Sequence, residues 1–190
     1  MDRATSGDEI QGGLTEEEKR DNVLRLAFRG NRELFDAFVR EVGAVAPPGT
    51  TVVLRGSAVT GRRWKDGVPF DSEGPGTSDM DLTLVGADAL KFFTATGFFV
   101  PGVHSRPLSD EDPDIAPALV PLRRTLMDMV KRPVNIQASR EIVLQFRGGL
   151  LDQAYLTLLE KPASDAAAEP LGLSEKPPPD PPDPADPPQP

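Results

Sequence analysis

The chain contains no cysteine, and only one histidine, one tryptophan and one tyrosine among its 190 residues. The lack of cysteine excludes a disulfide framework, a thiolate zinc site and a cysteine nucleophile, and it is typical of a protein from a reducing compartment. The single histidine, His104, has neither a second histidine nor a serine motif beside it. We therefore do not assign it a catalytic role.

Long apolar runs are also missing. The N-terminal segment has no apolar stretch preceded by positive charge, so no signal peptide is predicted. No apolar stretch approaches the ~20 residues that a membrane-spanning helix needs. These absences predict a cytoplasmic protein without a membrane partner.

An excess of basic charge is absent too, since the formal net charge is −9. Residues 1–21 hold seven acids and three bases, and residues 162–190 hold six acids and one base, so the segment between them has no net charge. A broad basic face for nucleic acid is therefore not expected. The local basic group that remains consists of Arg62, Arg63 and Lys65.

Length and composition predict one folded domain, residues 15–161, between a flexible leader (1–14) and a disordered tail (162–190). The tail has 11 prolines among its 29 residues, many alternating with aspartate. It has too little apolar surface to fold by itself. It is a candidate contact for a protein partner that binds proline-rich segments, although a spacer role is favoured.

Local signals predict an α+β fold with a short mixed β-sheet backed by helices. Thr15 and Glu18 have the spacing of a capping box that starts the first helix, and Asn31 is placed to cap the second. Gly43 and the glycine pair at 148–149 are expected to end helices. The predicted helices span 15–29, 31–42, 87–96, 122–130, 139–146 and 150–160, the predicted strands span 51–54, 80–85 and 133–138, and two long loops span 58–78 and 101–113.

Two of the predicted strands carry the most informative pattern. The first ends in Gly56-Ser57, and the second carries Asp79 and Asp81. Because side chains alternate along a strand, the two aspartates point the same way. Paired carboxylates repel each other unless a cation lies between them, and their oxygens suit Mg²⁺. A Gly-Ser turn offers N–H groups and a hydroxyl to phosphate, so the pattern predicts a site for a metal-bound triphosphate.

This pattern resembles the signature of the polymerase-β-type nucleotidyltransferase superfamily, in which one strand ends in Gly-Ser and the next carries Asp-hydrophobic-Asp. The stretch Arg55 to Gly61, together with Gly76 to Asp79, is similar to a subgroup found in bacterial stand-alone proteins and at the ends of polymorphic toxins. The resemblance covers residues 31–147 and implies a nucleotidyltransferase-like fold.

The resemblance implies an enzyme in which Asp79 and Asp81 are catalytic and coordinate one or two Mg²⁺ ions. It also implies transfer of an NMP from an NTP to a hydroxyl acceptor, with pyrophosphate as the leaving group. Whether the acceptor is a small molecule, a protein or an RNA is left open. The nucleotide-binding candidates are Gly56, Ser57, Arg62 and Ser78.

Two features depart from the family pattern. Twenty-one residues separate Ser57 from Asp79, which is longer than the usual spacer. The third strand carries Asn135 and Gln137 where active members have a third acid, and an amide cannot take a proton from an acceptor. Three acids are candidates to replace it: Asp71, Glu73 and Glu141. The alternatives are a nucleotide-binding or interaction module without turnover and, by analogy alone, a toxin-like effector.

The long loop also contains Trp64, the only tryptophan. We expect this side chain to anchor the loop rather than to stack with a base. Arg62, Arg63 and Lys65 either form a solvated loop face or approach the triphosphate, and Arg62 is retained as the nucleotide-binding candidate.

Overall fold

A computed structural model describes residues 13–163, so most of the predicted leader and tail lies outside the described residues. The helices of this part are α1 (Glu16–Ala27), α2 (Arg32–Val45), α3 (Ser57–Thr60), α4 (Val120–Val130) and α5 (Glu141–Leu151). The strands are β1 (Thr50–Arg55), β2 (Met80–Val85), β3 (Phe98–Val100), β4 (His104–Ser105), β5 (Val134–Ser139) and β6 (Tyr155–Lys161). Short 3₁₀ helices cover Ala89–Phe92 and Pro117–Leu119.

The strands form one mixed sheet in the order β3, β4, β5, β2, β1, β6. β2 and β5 run parallel, and the other neighbouring pairs are antiparallel. The predicted α+β class with a mixed sheet and helices is therefore confirmed.

Both predicted helix starts are confirmed by their caps. Glu18 N donates to Thr15 Oγ1 (3.2 Å), and Thr15 N donates to Glu18 Oε2 (2.8 Å), which completes the capping box. Asn31 Oδ1 accepts from Leu34 N at the start of α2 (3.0 Å). These local contacts fix where α1 and α2 begin.

One face of the sheet carries the main core. Alternate residues of the central strands point to this face and pack against the buried sides of α1, α2 and α4. The fully buried members include Val52, Leu54, Met80, Leu82, Phe38 and Leu126. Burial of this apolar area holds the three central strands in place.

The opposite face carries a small apolar cluster and a set of polar side chains. Val53, Val85 and Leu144 form the cluster, with Tyr155 packed against it. Leu144 comes from α5, so this helix covers part of the face. The polar side chains lie where β1 ends and where β2 and β5 begin.

The prediction of a helix over 150–160 is wrong. The helix α5 ends at Leu151, where Asp152 adopts a left-handed conformation (φ 51°), and the chain returns as β6. β6 pairs with β1 from Arg55 opposite Tyr155 to Thr50 opposite Lys161. The leucines have helical spacing, but the segment forms a strand because β1 would otherwise expose its backbone N–H and C=O groups along an unpaired edge.

Gly43 and Gly148 do not end helices, contrary to the prediction. Gly43 lies inside α2, and a Cβ there would be 3.1 Å from Leu159 Cδ2, so the missing side chain lets β6 approach. Gly148 lies inside α5, where a Cβ would be 3.4 Å from Tyr155 Cε1. Both positions serve close packing, which local propensity alone does not reveal.

The connections also differ from the predictions in detail. The predicted helix over 87–96 is a single 3₁₀ segment, and the predicted loop over 101–113 contains β4. The helix predicted over 139–146 starts later, at Glu141, because Ser139 is the last residue of β5. Within residues 13–163 no helix has the length and apolarity to cross a bilayer, and the cytoplasmic location stays a prediction.

Candidate functional site

Three polar residues lie side by side at one end of the sheet. The strand register places Arg55 of β1 opposite Asp81 of β2, and Asp81 opposite Asn135 of β5. Their neighbours along the strands, such as Leu54 and Ile136, point to the main core. The row therefore lies on the opposite face, as strand alternation requires.

The two predicted acids share one partner. Asn135 Nδ2 donates to Asp79 Oδ2 at 2.7 Å and to Asp81 Oδ1 at 3.1 Å. The two carboxylates thus face a common point, as the sequence predicted. Asp79 is exposed and Asp81 is partly buried.

Charged side chains surround the partly buried Asp81. Burial, together with the Asp79 carboxylate, raises the pKa of Asp81 above its usual value, against the opposing effects of Asn135, Arg55 and Arg147. Burial and the nearby Arg147 lower the pKa of Arg55 to about 10, so Arg55 is still a cation at neutral pH. The site therefore holds two acids that repel each other, next to the cationic side chain of Arg55.

Arg55 is itself held by side chains of the same face. Its Nε donates to Thr83 Oγ1 at 2.8 Å, and a terminal nitrogen donates to Gln137 Oε1. The amide of Gln137 thus lies on the site face, as predicted, but it is engaged with Arg55 instead of with the two acids.

The Gly-Ser corner lies against the acid pair. Gly56 has φ 79°, and a Cβ at this position would be 3.0 Å from Asp81 Oδ2. Only glycine adopts this conformation easily and leaves this space. Ser57 begins the short helix α3 directly after it.

The acids and the Gly-Ser corner open into one cleft of about 750 Å³. Its lining combines three acids (Asp79, Asp81 and Asp152), four cationic side chains and some apolar surface. The lining residues that bear on the argument are Arg55, Arg62, Arg63, Trp64, Lys65 and Asp152. A cleft of this size accommodates a small-molecule ligand.

A smaller cleft of about 320 Å³ shares part of its lining with the larger one. It shares Ser57, Arg63 and Asp79 with the larger cleft, and it adds Glu73 and Ser78. Asp79 and Ser57 therefore line both clefts.

The long loop folds back through a buried ion pair. Arg132, whose side chain is 2% exposed, donates to Asp71 Oδ1 (2.9 Å) and Oδ2 (3.1 Å), and it stacks on the ring of Phe70. Asp71 Oδ1 also accepts from Ser78 N (2.9 Å). Burial would raise the pKa of Asp71, but these hydrogen bonds and that from Gly76 N lower it overall.

Two predicted nucleotide-binding residues already have protein partners. Ser78 Oγ accepts from Asp71 N at 2.7 Å, which fixes the end of the loop just before Asp79. Arg62 donates to Gly67 O at 3.2 Å and is otherwise exposed at the cleft. The binding roles of Ser78 and Arg62 stay predictions.

The acids considered as a third carboxylate are dispersed. Asp71 is held by Arg132, and Glu141 lies in a separate cleft with Gly49 and Glu160. Glu73 shares the smaller cleft with Asp79. Within residues 13–163, no cluster of three or more His, Cys, Asp or Glu side chains is placed to hold a metal ion.

Sequence reasoning missed several side chains that shape this site. Arg55 was read as part of the motif without a role, although its spacing from Val53 on a strand already placed it on the site face. Arg147 of α5 lies 3.2 Å from His104 Nε2. Burial, followed by the charges of Arg147 and Arg55, lowers the pKa of His104 to about 4, so the ring is neutral at pH 7.

Searches for similar proteins identify no relative. No protein-family model, no curated protein and no solved structure matches this chain. The site must therefore be judged from its own residues.

Proposed function

We propose that this protein is a nucleotidyltransferase-like enzyme that moves an NMP from a Mg²⁺-bound NTP to a hydroxyl acceptor. The observation that carries the proposal is the common cleft in which Asp79 and Asp81 face one point beside Gly56 and Ser57. The order of these parts, a Gly-Ser corner after β1 and paired acids at the start of the adjacent β2, supports the nucleotidyltransferase-like form of the fold.

The donor set fits a hard divalent cation. Two carboxylates within reach of one amide offer oxygen ligands only. Burial first, and the Asp79 carboxylate second, raise the pKa of Asp81, and a bound cation would favour the charged form that both disfavour. Asp79 and Asp81 are the residues that would hold Mg²⁺. When bound, such an ion neutralises charge on the transferred phosphoryl group and on the leaving pyrophosphate.

The chain's own residues would bind and orient the triphosphate. Gly56 leaves room for the Asp81 carboxylate to lie against the Gly-Ser corner, and the cations of the cleft (Arg62, Arg63 and Lys65) supply positive charge for the phosphates. In the transfer, the acceptor oxygen bonds to the α-phosphorus while the bond from that phosphorus to the bridging oxygen breaks. The acceptor proton passes to solvent or to a base that the acceptor complex supplies.

The proposal is tested by label transfer. Each α-³²P-labelled NTP is incubated with Mg²⁺ and a panel of acceptors, and labelled product and released pyrophosphate are measured. We expect the Asp79→Asn/Asp81→Asn variant to lose at least about 100-fold in rate, because oriented charge at a reaction centre contributes on that scale.

The matched control is Asp88→Asn, which removes an exposed carboxylate that pairs with Lys91 and lies after the opposite end of β2. This variant should transfer label like the unmodified protein. The proposed enzyme activity would be refuted if no label were transferred to any acceptor, or if the double variant were as active as the unmodified protein.

A second candidate is a nucleotide-binding module without turnover. The observation in its favour is that Asn135 and Gln137 occupy the site face where a third acid would activate the acceptor. Calorimetry separates the two candidates, because the binding module would bind Mg·NTP without releasing pyrophosphate.

A further inference from the structure

The single tryptophan is exposed but fixed in orientation. The residue Trp64 is 64% exposed, while its indole Nε1 donates to Leu151 O at 3.1 Å. A tryptophan that only anchors a loop buries its ring, so the predicted anchoring role explains the hydrogen bond but not the exposed face.

The turn that carries Trp64 is closed by backbone hydrogen bonds. Gly67 N donates to Arg63 O, and Arg63 N donates to Val68 O, each at 2.8 Å. The indole is thus held from both sides, by its own turn and by the last residue of α5. A ring held in this way loses little conformational freedom when a ligand binds to it.

The exposed indole lines the same cleft as the acid pair and the Gly-Ser corner. Cationic Arg62 and Lys65 lie on either side of Trp64 in the sequence, and apolar surface from Leu14 and Ala154 completes this part of the lining. The cleft therefore combines a site for polyphosphate with a flat aromatic surface, which are the two chemistries that a nucleotide presents.

We propose that the nucleobase of the bound NTP stacks on Trp64, so that the larger cleft holds the whole nucleotide. This inference rests on the proposed function, and it assigns to Trp64 a positioning role. Stacking uses the π-face that every base has, so it predicts that all four NTPs bind, with the larger purines bound more tightly.

The position of the only tryptophan makes binding directly observable. Intrinsic fluorescence is titrated with Mg·ATP and, separately, with Mg·tripolyphosphate, which carries the phosphates without a base. Calorimetry then gives Kd values for Trp64→Ala and for Trp64→Phe. The Phe variant keeps an aromatic face but loses the hydrogen bond to Leu151.

We expect Mg·ATP to quench the fluorescence and to bind more tightly than Mg·tripolyphosphate. Trp64→Ala should weaken Mg·ATP binding at least about fivefold, the low end of what base–aromatic stacking contributes, and should leave Mg·tripolyphosphate binding unchanged. Trp64→Phe should retain most of the preference for Mg·ATP.

Two results would overturn the inference while leaving the proposed function intact. One is that Mg·tripolyphosphate binds but the Trp64→Ala substitution does not change the Kd of Mg·ATP. The other is an equal loss in the Ala and Phe variants, which would assign the effect to the hydrogen bond with Leu151. If the unmodified protein binds neither Mg·tripolyphosphate nor Mg·ATP, the polyphosphate site is refuted and the stacking role with it.

Discussion

At the scale of single residues, folding places negative charge in the candidate site where that charge is energetically unfavourable. The partly buried Asp81 lies near a second carboxylate, and its raised pKa shows that folding disfavours the charged form. Strand alternation predicted that Asp79 and Asp81 share a face. The roles of Arg55 and Arg147 were not predictable, because they depend on which strands and helices become neighbours.

The unfavourable charge of the Asp81 carboxylate predicts that Asp81→Asn stabilises the protein at neutral pH. A pKa raised by folding makes the charged acid destabilising above the folded pKa, and the penalty disappears as pH falls to the unfolded value of about 4. We expect the variant to gain about 0.5–2 kcal/mol in the free energy of unfolding at pH 7, the usual gain when a functional site is relaxed.

Urea unfolding of Asp81→Asn and of the unmodified protein, measured from pH 7 down to pH 4, checks this expectation. The difference between the two should shrink toward zero at the acid end. Asp88→Asn, an exposed position, should change stability by less than about 0.5 kcal/mol at every pH. A loss of stability in Asp81→Asn at pH 7 would mean that the attraction of the Asp81 carboxylate to the Arg55 and Arg147 charges outweighs burial and repulsion.

At the scale of elements, some signals read from neighbouring residues predicted the structure correctly, whereas the helix expected over 150–160 was wrong and the distant contacts gave no signal. The cap at Thr15 and the strand over Met80–Val85 are encoded within a few residues, and both match the structure. The loop contacts between Asp71 and Arg132, 61 positions apart, have no local signal. This pair explains how a long insertion closes without displacing Asp79.

The buried ion pair predicts a large effect for Asp71→Asn. The substitution leaves the Arg132 guanidinium buried without a carboxylate, so we expect a loss of about 2–4 kcal/mol, since removing one partner of a buried pair costs several kcal/mol. The loop between Gly61 and Ser78 should also be cleaved faster by a nonspecific protease, because Asp71 ties it to Arg132, just before β5.

The control for this prediction is Asp66→Asn in the same loop. Its partner Arg63 and Asp66 itself are 55% and 42% exposed, so the substitution should cost less than about 0.5 kcal/mol. Urea unfolding and limited proteolysis of both variants give the comparison. Equal stability of the two would show that the buried pair does not hold the loop.

At the scale of the whole molecule, the sheet depends on its last strand. β6 covers the outer edge of β1, and Leu156 contributes a fully buried side chain to the main core. β1 in turn leads into Gly56 and Ser57, so the edge strand supports the candidate site from a distance. The sequence suggested a helix here, because leucine spacing alone does not show that β1 needs a partner.

Two truncations test this dependence. A chain that ends after Ala163 keeps every described strand, and we expect its free energy of unfolding to change by less than about 0.5 kcal/mol. A chain that ends after Ala154 lacks β6 and should lose cooperative unfolding, because removing Leu156 alone costs about 2–5 kcal/mol and β1 also loses its ladder of hydrogen bonds. Both chains lack the proline-rich segment, so it cannot account for a difference between them.

Circular dichroism with urea, and calorimetry with Mg·tripolyphosphate, should show a folded, binding-competent protein only for the longer chain. Cooperative unfolding of the shorter chain would mean that the sheet and its Gly-Ser corner form without β6.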